Sequence, residues 1–232
     1  MHSGAATVRS VNLGRPREAG WAQIGATAID KQPATGRVAV GELGLEGDQV
    51  ADTRHHGGLD QAVYAFARED LDRWAERLGE PVRDGQFGEN LTTRGIDVNE
   101  AEVGERWRVG GTEGVVLEVA SVRTPCQDFK AWMGRSGYDD AAWVRRFTAD
   151  ARPGPYLRVV APGSVGAGDT VEVVHRPGHG VTVSTMFRAL HGEPALLPRL
   201  LEVPDLVDKA RVKAEEHVAR YGRGRVEPGA SA

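Results

Sequence analysis

Apolar and polar positions alternate over short stretches through most of the chain. Residues 8–13, 25–31 and 37–43 read as half-buried strands, with turns at Gly14-Arg15-Pro16 and Pro33-Ala34-Thr35-Gly36. Ala62 to Phe66 (AVYAF) and Gly114 to Ala120 (GVVLEVA) are continuous apolar runs of strand length, and Tyr156–Ala161 and Thr170–Val174 are late strands. Val103-Gly104-Glu105-Arg106-Trp107 and Ala167-Gly168-Asp169-Thr170-Val171 echo each other, each a tight glycine turn entering a strand. One segment has clear helical spacing: over Glu69–Leu78, Leu71, Trp74, Ala75 and Leu78 share a face, and Gly79 and Pro81 end it. A shorter helix is expected over Tyr138–Phe147.

The pattern changes after Arg176-Pro177-Gly178-His179-Gly180. Thr182 or Ser184 can cap a helix to Leu190, Leu196–Leu201 a second, and Asp205 can cap a third with Leu206, Ala210, Ala214, Val218 and Tyr221 on one face. The expected architecture is mainly β: a barrel-like domain with a few helices over residues 1–176, a small three-helix appendage over 181–221, and a disordered tail over 222–232. Forty residues of helix bury too little surface to stand alone. The appendage must dock on the barrel or on a second subunit, which makes a homodimer one expected arrangement. Its third helix carries Lys209, Arg211, Lys213 and Arg220 but also Asp208, Glu215 and Glu216, a mixed solvated face rather than a nucleic-acid reader.

Composition narrows the classes. Thirty glycines and twelve prolines in 232 residues imply many turns, and 40% apolar content supplies a proper core. The net charge of −4 gives no general attraction for nucleic acid, so an anionic ligand needs a local cationic pocket. No apolar stretch is long enough to span a membrane, and residues 1–9 lack the apolar core of a signal peptide. With one cysteine, the expected location is the reducing cytoplasm.

That cysteine, Cys126, follows the 114–120 strand in Ser121-Val122-Arg123-Thr124-Pro125-Cys126. It is either a buried core residue or a soft ligand or nucleophile; Arg123 and Lys130 nearby favour a thiolate. Two other stretches carry groups suited to anions or heterocycles. The loop over residues 44–58 is too long for a hairpin and contains Gly47-Asp48 and Arg54-His55-His56-Gly57-Gly58. A second loop holds Gly88-Glu89-Asn90. Glycines bring backbone amides close to an anion, arginine grips phosphate, and asparagine suits the edge of a heterocycle. Adjacent histidines on an extended chain point to opposite faces, and no spacing of a structural zinc site occurs. A Cys126–His56 hydrolase lacks a nucleophile-elbow signature.

Taken in order, Gly44-Leu45-Glu46-Gly47-Asp48, His56-Gly57-Gly58-Leu59-Asp60-Gln61-Ala62-Val63-Tyr64, Phe87-Gly88-Glu89-Asn90-Leu91 and Arg123-Thr124-Pro125-Cys126 closely resemble the MOSC domain family, in particular its YiiM-like bacterial branch. The resemblance runs from about Val11 to Val174 and extends to the C-terminal helices. It implies a MOSC-type β-barrel, a molybdenum–pyranopterin cofactor, Cys126 as the molybdenum ligand, and reduction of N-hydroxylated compounds such as hydroxylaminopurines, hydroxamic acids and amidoximes. Arg54, Arg123 and the turns at Gly57, Gly58 and Gly88 are then candidates to hold the cofactor's phosphate. His56 is the candidate proton donor or pterin contact, Asn90 the candidate pterin hydrogen-bonder, and His55 and Thr124 further cofactor contacts. Glu89 positions Asn90 or a lysine, or caps a turn. The sequence has no iron–sulfur, haem or flavin motif, so electrons are expected from a flavin or iron–sulfur partner protein. Two other readings stand beside this one: a sulfur carrier using a Cys126 persulfide, and a non-catalytic adaptor docking through its helices.

Overall fold

The computed structural model describes residues 5–54, 56–112 and 114–222. Its first half alternates strands and turns: β1 (Thr7–Leu13), β2 (Arg17–Glu18), β3 (Ala26–Thr27), β4 (Gln32–Pro33), β5 (Val38–Gly41), β6 (Gly44–Leu45), β7 (Val63–Ala67), helix α1 (Arg68–Leu78) and β8 (Leu91–Arg94). There follow β9 (Arg106–Val109), β10 (Val115–Val122), helices α2 (Gln127–Arg135) and α3 (Trp143–Asp150), then β11 (Pro155–Ala161), β12 (Gly163–Val165) and β13 (Val171–His175). Helices α4 (Val183–His191), α5 (Leu197–Leu200) and α6 (Asp208–Tyr221) close the chain.

Eight strands form one sheet in the order β13-β9-β10-β11-β7-β8-β1-β4. Its pairs are antiparallel except β7 with β8, which α1 joins as a crossover. The two echoed turns lead into neighbouring strands: Gly104 and Gly168 both take positive φ, near 90°, and the strands they enter, β9 and β13, pair with each other. The sheet curls until its ends meet. Thr7 bridges Thr170, and Val8 N–H donates to the Asp169 carbonyl at 2.8 Å. A single bridge, rather than a full ladder, joins the two ends. The fold is thus mainly β with a helical C-terminal part.

β7 is buried at all five positions because β11 and β8 flank it and α1 lays Leu71 and Trp74 against the core. Gly79 ends α1 in the left-handed conformation (φ 73°), returning its N–H to the Ala75 carbonyl. An aromatic cluster of Trp74, Phe87, Phe129, Trp143 and Phe147 fills the space behind α2, with Trp74 and Trp143 4.8 Å apart and Phe87 and Phe129 5.2 Å apart.

Several expectations shift. The strand expected over 25–31 shrinks to Ala26–Thr27; the rest is irregular, and Asp30 pairs there with Arg17 and Arg83. The helix expected over 138–147 begins later, at Trp143. α2 is an addition to the expected elements. Thr182 caps α4, accepting the Thr185 N–H. Asp205 does not cap α6, which starts at Asp208 without a side-chain cap. Ala210 and Ala214 form its buried face, and Tyr221 is 68% exposed rather than packed. The helices dock on the sheet's flank: Val103 N–H donates to the Val181 carbonyl, Val183 N–H to the Ala101 carbonyl, and Phe187 meets Phe147 edge-on at 6.3 Å. One apolar core runs through both parts. Residues 223–232, and with them nearly all of the expected tail, lie outside the described residues. Among the described residues no helix is long and apolar enough to cross a membrane.

Candidate active site

β10 delivers the chain through Arg123-Thr124-Pro125 to Cys126, which is the N-cap of α2. Its Sγ accepts the Phe129 N–H at 3.4 Å, filling the role usually played by a hydroxyl or carboxylate. The first turn of a helix stabilises negative charge at this position. Cys126 is half-buried and opens into a cavity of about 510 Å³. The three special loops converge there: His56, Gly57 and Gly58 from the first, Gly88 and Asn90 from the second, Arg123 and Cys126 from the third. About seventy residues separate His56 from Cys126 in sequence; the sheet brings them together.

Arg123 is the most informative side chain of the cavity. It is 5% exposed and makes no ion pair among the described residues. Its guanidinium lies 4.5 Å over the Phe129 ring and 5.3 Å over that of Tyr64, with Nη1 3.4 Å from the Tyr156 hydroxyl. Its Nε is buried without a hydrogen-bond partner. Burial opposes the charge, but Tyr156, Tyr64 and Cys126 together keep its pKa above the usual guanidinium value. A buried cation without a carboxylate is costly unless something anionic completes it.

Two groups outside the expected set, Lys31 and Asp48, share the floor. Lys31 is 7% exposed and pairs with Asp48 Oδ1. Burial pushes its pKa down, against the pull of Asp48. Asp48 Oδ1 also accepts the Gly14 N–H at 2.7 Å, and Oδ2 the Asn90 Nδ2 at 2.9 Å. The lining therefore sets Lys31 and Arg123 among three half-buried carboxylates, Asp48, Asp52 and Asp128, of which Asp48 engages Lys31. Asp52 and Asp128 line the cavity half-buried, accepting the Arg54 and Gln23 N–H groups. Nothing in the spacing announces the Lys31–Asp48 pair, because only tertiary closure joins positions seventeen apart on irregular backbone.

Three of the expected residues stand elsewhere, and a fourth is not described. Arg54 is exposed on the loop and is not among the residues lining the cavity. His55 lies outside the described residues. Thr124 turns away, its Oγ1 3.3 Å from His191 Nε2 at the end of α4. Glu89 is fully buried and spends its carboxylate on its own loop, accepting the Gly85 N–H at 2.6 Å, the Phe87 N–H at 3.0 Å and the Thr92 hydroxyl at 2.9 Å. It caps a turn. Asn90 does line the cavity, but its amide is already engaged. Oδ1 accepts the Tyr64 N–H, while Nδ2 donates to Asp48 and to the Asn12 carbonyl. That leaves Asn90 as a builder of the floor, with little hydrogen-bonding capacity for a pterin.

The residues fit a bound anionic, metal-bearing cofactor. Among the described residues no three His, Cys, Asp or Glu side chains converge, so a metal at Cys126 would draw its other ligands from the cofactor. Arg123 Nε is an orphan donor and Gln61 Oε1 an orphan acceptor in the cavity wall. Gly58 holds φ 80° and ψ 176°, open to glycine alone, and a Cβ there would meet nothing within 4 Å, so the backbone is bare on that side.

The MOSC domain profile matches residues 52–172, and the chain belongs to the MOSC domain family. It is 32% identical over 179 residues to the uncharacterized protein YflK of Bacillus subtilis, covering 76% of this chain and 77% of that protein. YiiM of Escherichia coli is 33% identical over 153 residues, 65% of each chain. A protein named "Reductase" from Gibberella moniliformis is 31% identical over 183 residues, 78% of this chain but only 31% of that protein. The crystal structure of YiiM from Geobacillus stearothermophilus superposes with a TM-score of 0.74 at 22% identity, covering 92% of this chain and 99% of that one.

Proposed function

We propose that the chain reduces N-hydroxylated compounds using a molybdenum–pyranopterin cofactor, with Cys126 as the protein's ligand to the metal. MOSC membership and the reductase-named fungal relative support the reaction class. The observation that carries the reading is Arg123: a buried cation with no carboxylate partner among the described residues, beside the chain's sole cysteine, in the cavity where the glycine loops meet.

When bound, the cofactor supplies the two-electron chemistry that cleaves the N–O bond. The protein's own residues do the rest. Cys126 presents its sulfur at the first turn of α2, where the Phe129 N–H donates to it. Arg123 and Lys31 meet the anionic part of the ligand from the floor, and Asp48 keeps Lys31 in place. His56, which also lines the cavity, delivers a proton to the departing hydroxyl. Electrons arrive from a flavin or iron–sulfur partner protein, and the single thiol suits a cytoplasmic setting.

The test is cofactor-loaded protein assayed with reduced methyl viologen and a hydroxamic acid. Wild type should turn over; Cys126→Ser, with an intact circular dichroism spectrum, should lose turnover by a factor of a hundred or more, about 3 kcal/mol of transition-state stabilisation. Undiminished turnover in Cys126→Ser removes the sulfur from the chemistry. A thiol that instead accepts and passes on sulfur without molybdenum identifies a sulfur carrier.

A further inference from the structure

The cavity's buried floor is built from the polar residues Lys31, Asn90 and Arg123. Its more exposed lining includes the polar Gln49 and Thr53 and carries three aliphatic side chains that form an apolar part of the rim. Leu43, in the turn between β5 and β6, is 74% exposed; Val50 is 39% exposed; Ile29 is half-buried; all three line this cavity. Each is held by a glycine loop. Gly44 takes φ 117°, and a Cβ there would collide with the Ala62 carbonyl, so the hairpin carrying Leu43 lies pressed against the cavity wall. A Cβ on Gly57 would stand 3.3 Å from Val50 Cγ2, and one on Gly88 3.1 Å from Ile29 Cγ1. The backbone thus approaches both side chains closely.

Single exposed apolar side chains on a surface are ordinary. A group of them lining the opening of a cavity with a polar floor is the pattern of a ligand pocket. Building on the reductase reading, we infer that Leu43, Val50 and Ile29 form a specificity rim selecting N-hydroxylated compounds with an apolar or aromatic body. The N–O group faces the Cys126 side of the cavity and the body rests on the rim. A substrate body is the fitting occupant, because whatever reaches Cys126 through this opening passes the rim. The cofactor's polar heterocycle calls for hydrogen-bonding groups, which these three side chains lack. For a hydroxamic acid the reaction breaks the N–O bond: two electrons from the donor and two protons from solvent convert it to the amide and water.

Benzohydroxamic and acetohydroxamic acid are the probes, with reduced methyl viologen as donor. The loaded wild type should favour the aryl compound in kcat/KM by about tenfold or more, as burial of a leucine-sized surface supplies. In Leu43→Asp and Val50→Asp that preference should fall to near unity. Independently, ¹³C-methyl resonances of Leu43 and Val50 in the full chain should shift on adding benzohydroxamic acid and stay in place with acetohydroxamic acid. Equal kcat/KM for the two compounds in wild type overturns the rim. If neither compound is reduced, the reductase reading fails, and the methyl resonances then decide the rim alone: unshifted methyls overturn it, as they would if the rim served a partner protein.

Discussion

Asn90 Nδ2 donates to Asp48 Oδ2 at 2.9 Å, joining two loops forty-two residues apart. With its Oδ1 on the Tyr64 N–H and a second donor bond to the Asn12 carbonyl, one amide ties β1, β7 and the Asp48 turn into the cavity floor. Asn90→Ala leaves a buried N–H and a buried carbonyl without partners and frees Asp48 from one of its anchors. The expected cost is about 2–4 kcal/mol of folding stability, read as a lower midpoint in urea unfolding. A variant as stable as wild type would show that Asn90 serves the ligand rather than the fold.

Arg123 is expected to behave in the opposite way. A buried charge without a partner costs the folded protein, and an apolar side chain of similar volume relieves that cost. Cofactor-free Arg123→Met should match or exceed wild-type stability by about 1–3 kcal/mol, while its cofactor content, measured as molybdenum and phosphorus per chain, falls by more than half. A destabilised variant that keeps its cofactor would make Arg123 a structural residue.

The buried Glu89 gives a pH dependence of known sign. Burial raises its pKa from 4.5 to about 7 despite the bonds from Gly85, Phe87 and Thr92. Between those values the folded state binds a proton that the unfolded state releases. Its contribution to stability is therefore full below pH 4.5 and is lost as pH rises through 7, by up to about 3 kcal/mol. Buried Asp70, also raised by desolvation, acts in the same direction. Urea unfolding from pH 4.5 to 8 should show wild type losing stability relative to Glu89→Gln over that window. Parallel pH profiles would place the Glu89 pKa near its ordinary value.

The sequence displayed most of the sheet and only part of the site. β7, β10, β11 and β13 were legible because apolar runs bounded by turn residues have few other outcomes, and the paired glycine turns at Gly104 and Gly168 marked two neighbouring strands. α2 was harder to see. Phe129, Trp132 and Met133 have helical spacing, but the helix is nine residues long, contains Gly134 and is capped by a cysteine rather than a usual capping residue. The cavity's loops were legible as motifs. Their division of labour was not: whether Glu89 and Asn90 bind a ligand or hold the fold depends on partners such as Gly85, Tyr64 and Asp48 that only the folded chain brings near. Lys31 sat in a stretch whose alternation suggested a strand, and nothing local marked it as buried beside Asp48.

The central claim is that Cys126 supplies the protein's sulfur to molybdenum in this cavity. Molybdenum K-edge X-ray absorption on protein produced in a cofactor-competent host tests it directly. Wild type should show about three sulfur scatterers, two from the cofactor and one from Cys126, and Cys126→Ser should retain metal with about two, in keeping with the preference of a soft metal for thiolate. An unchanged sulfur count in Cys126→Ser, or wild-type protein without molybdenum from such a host, would contradict the account.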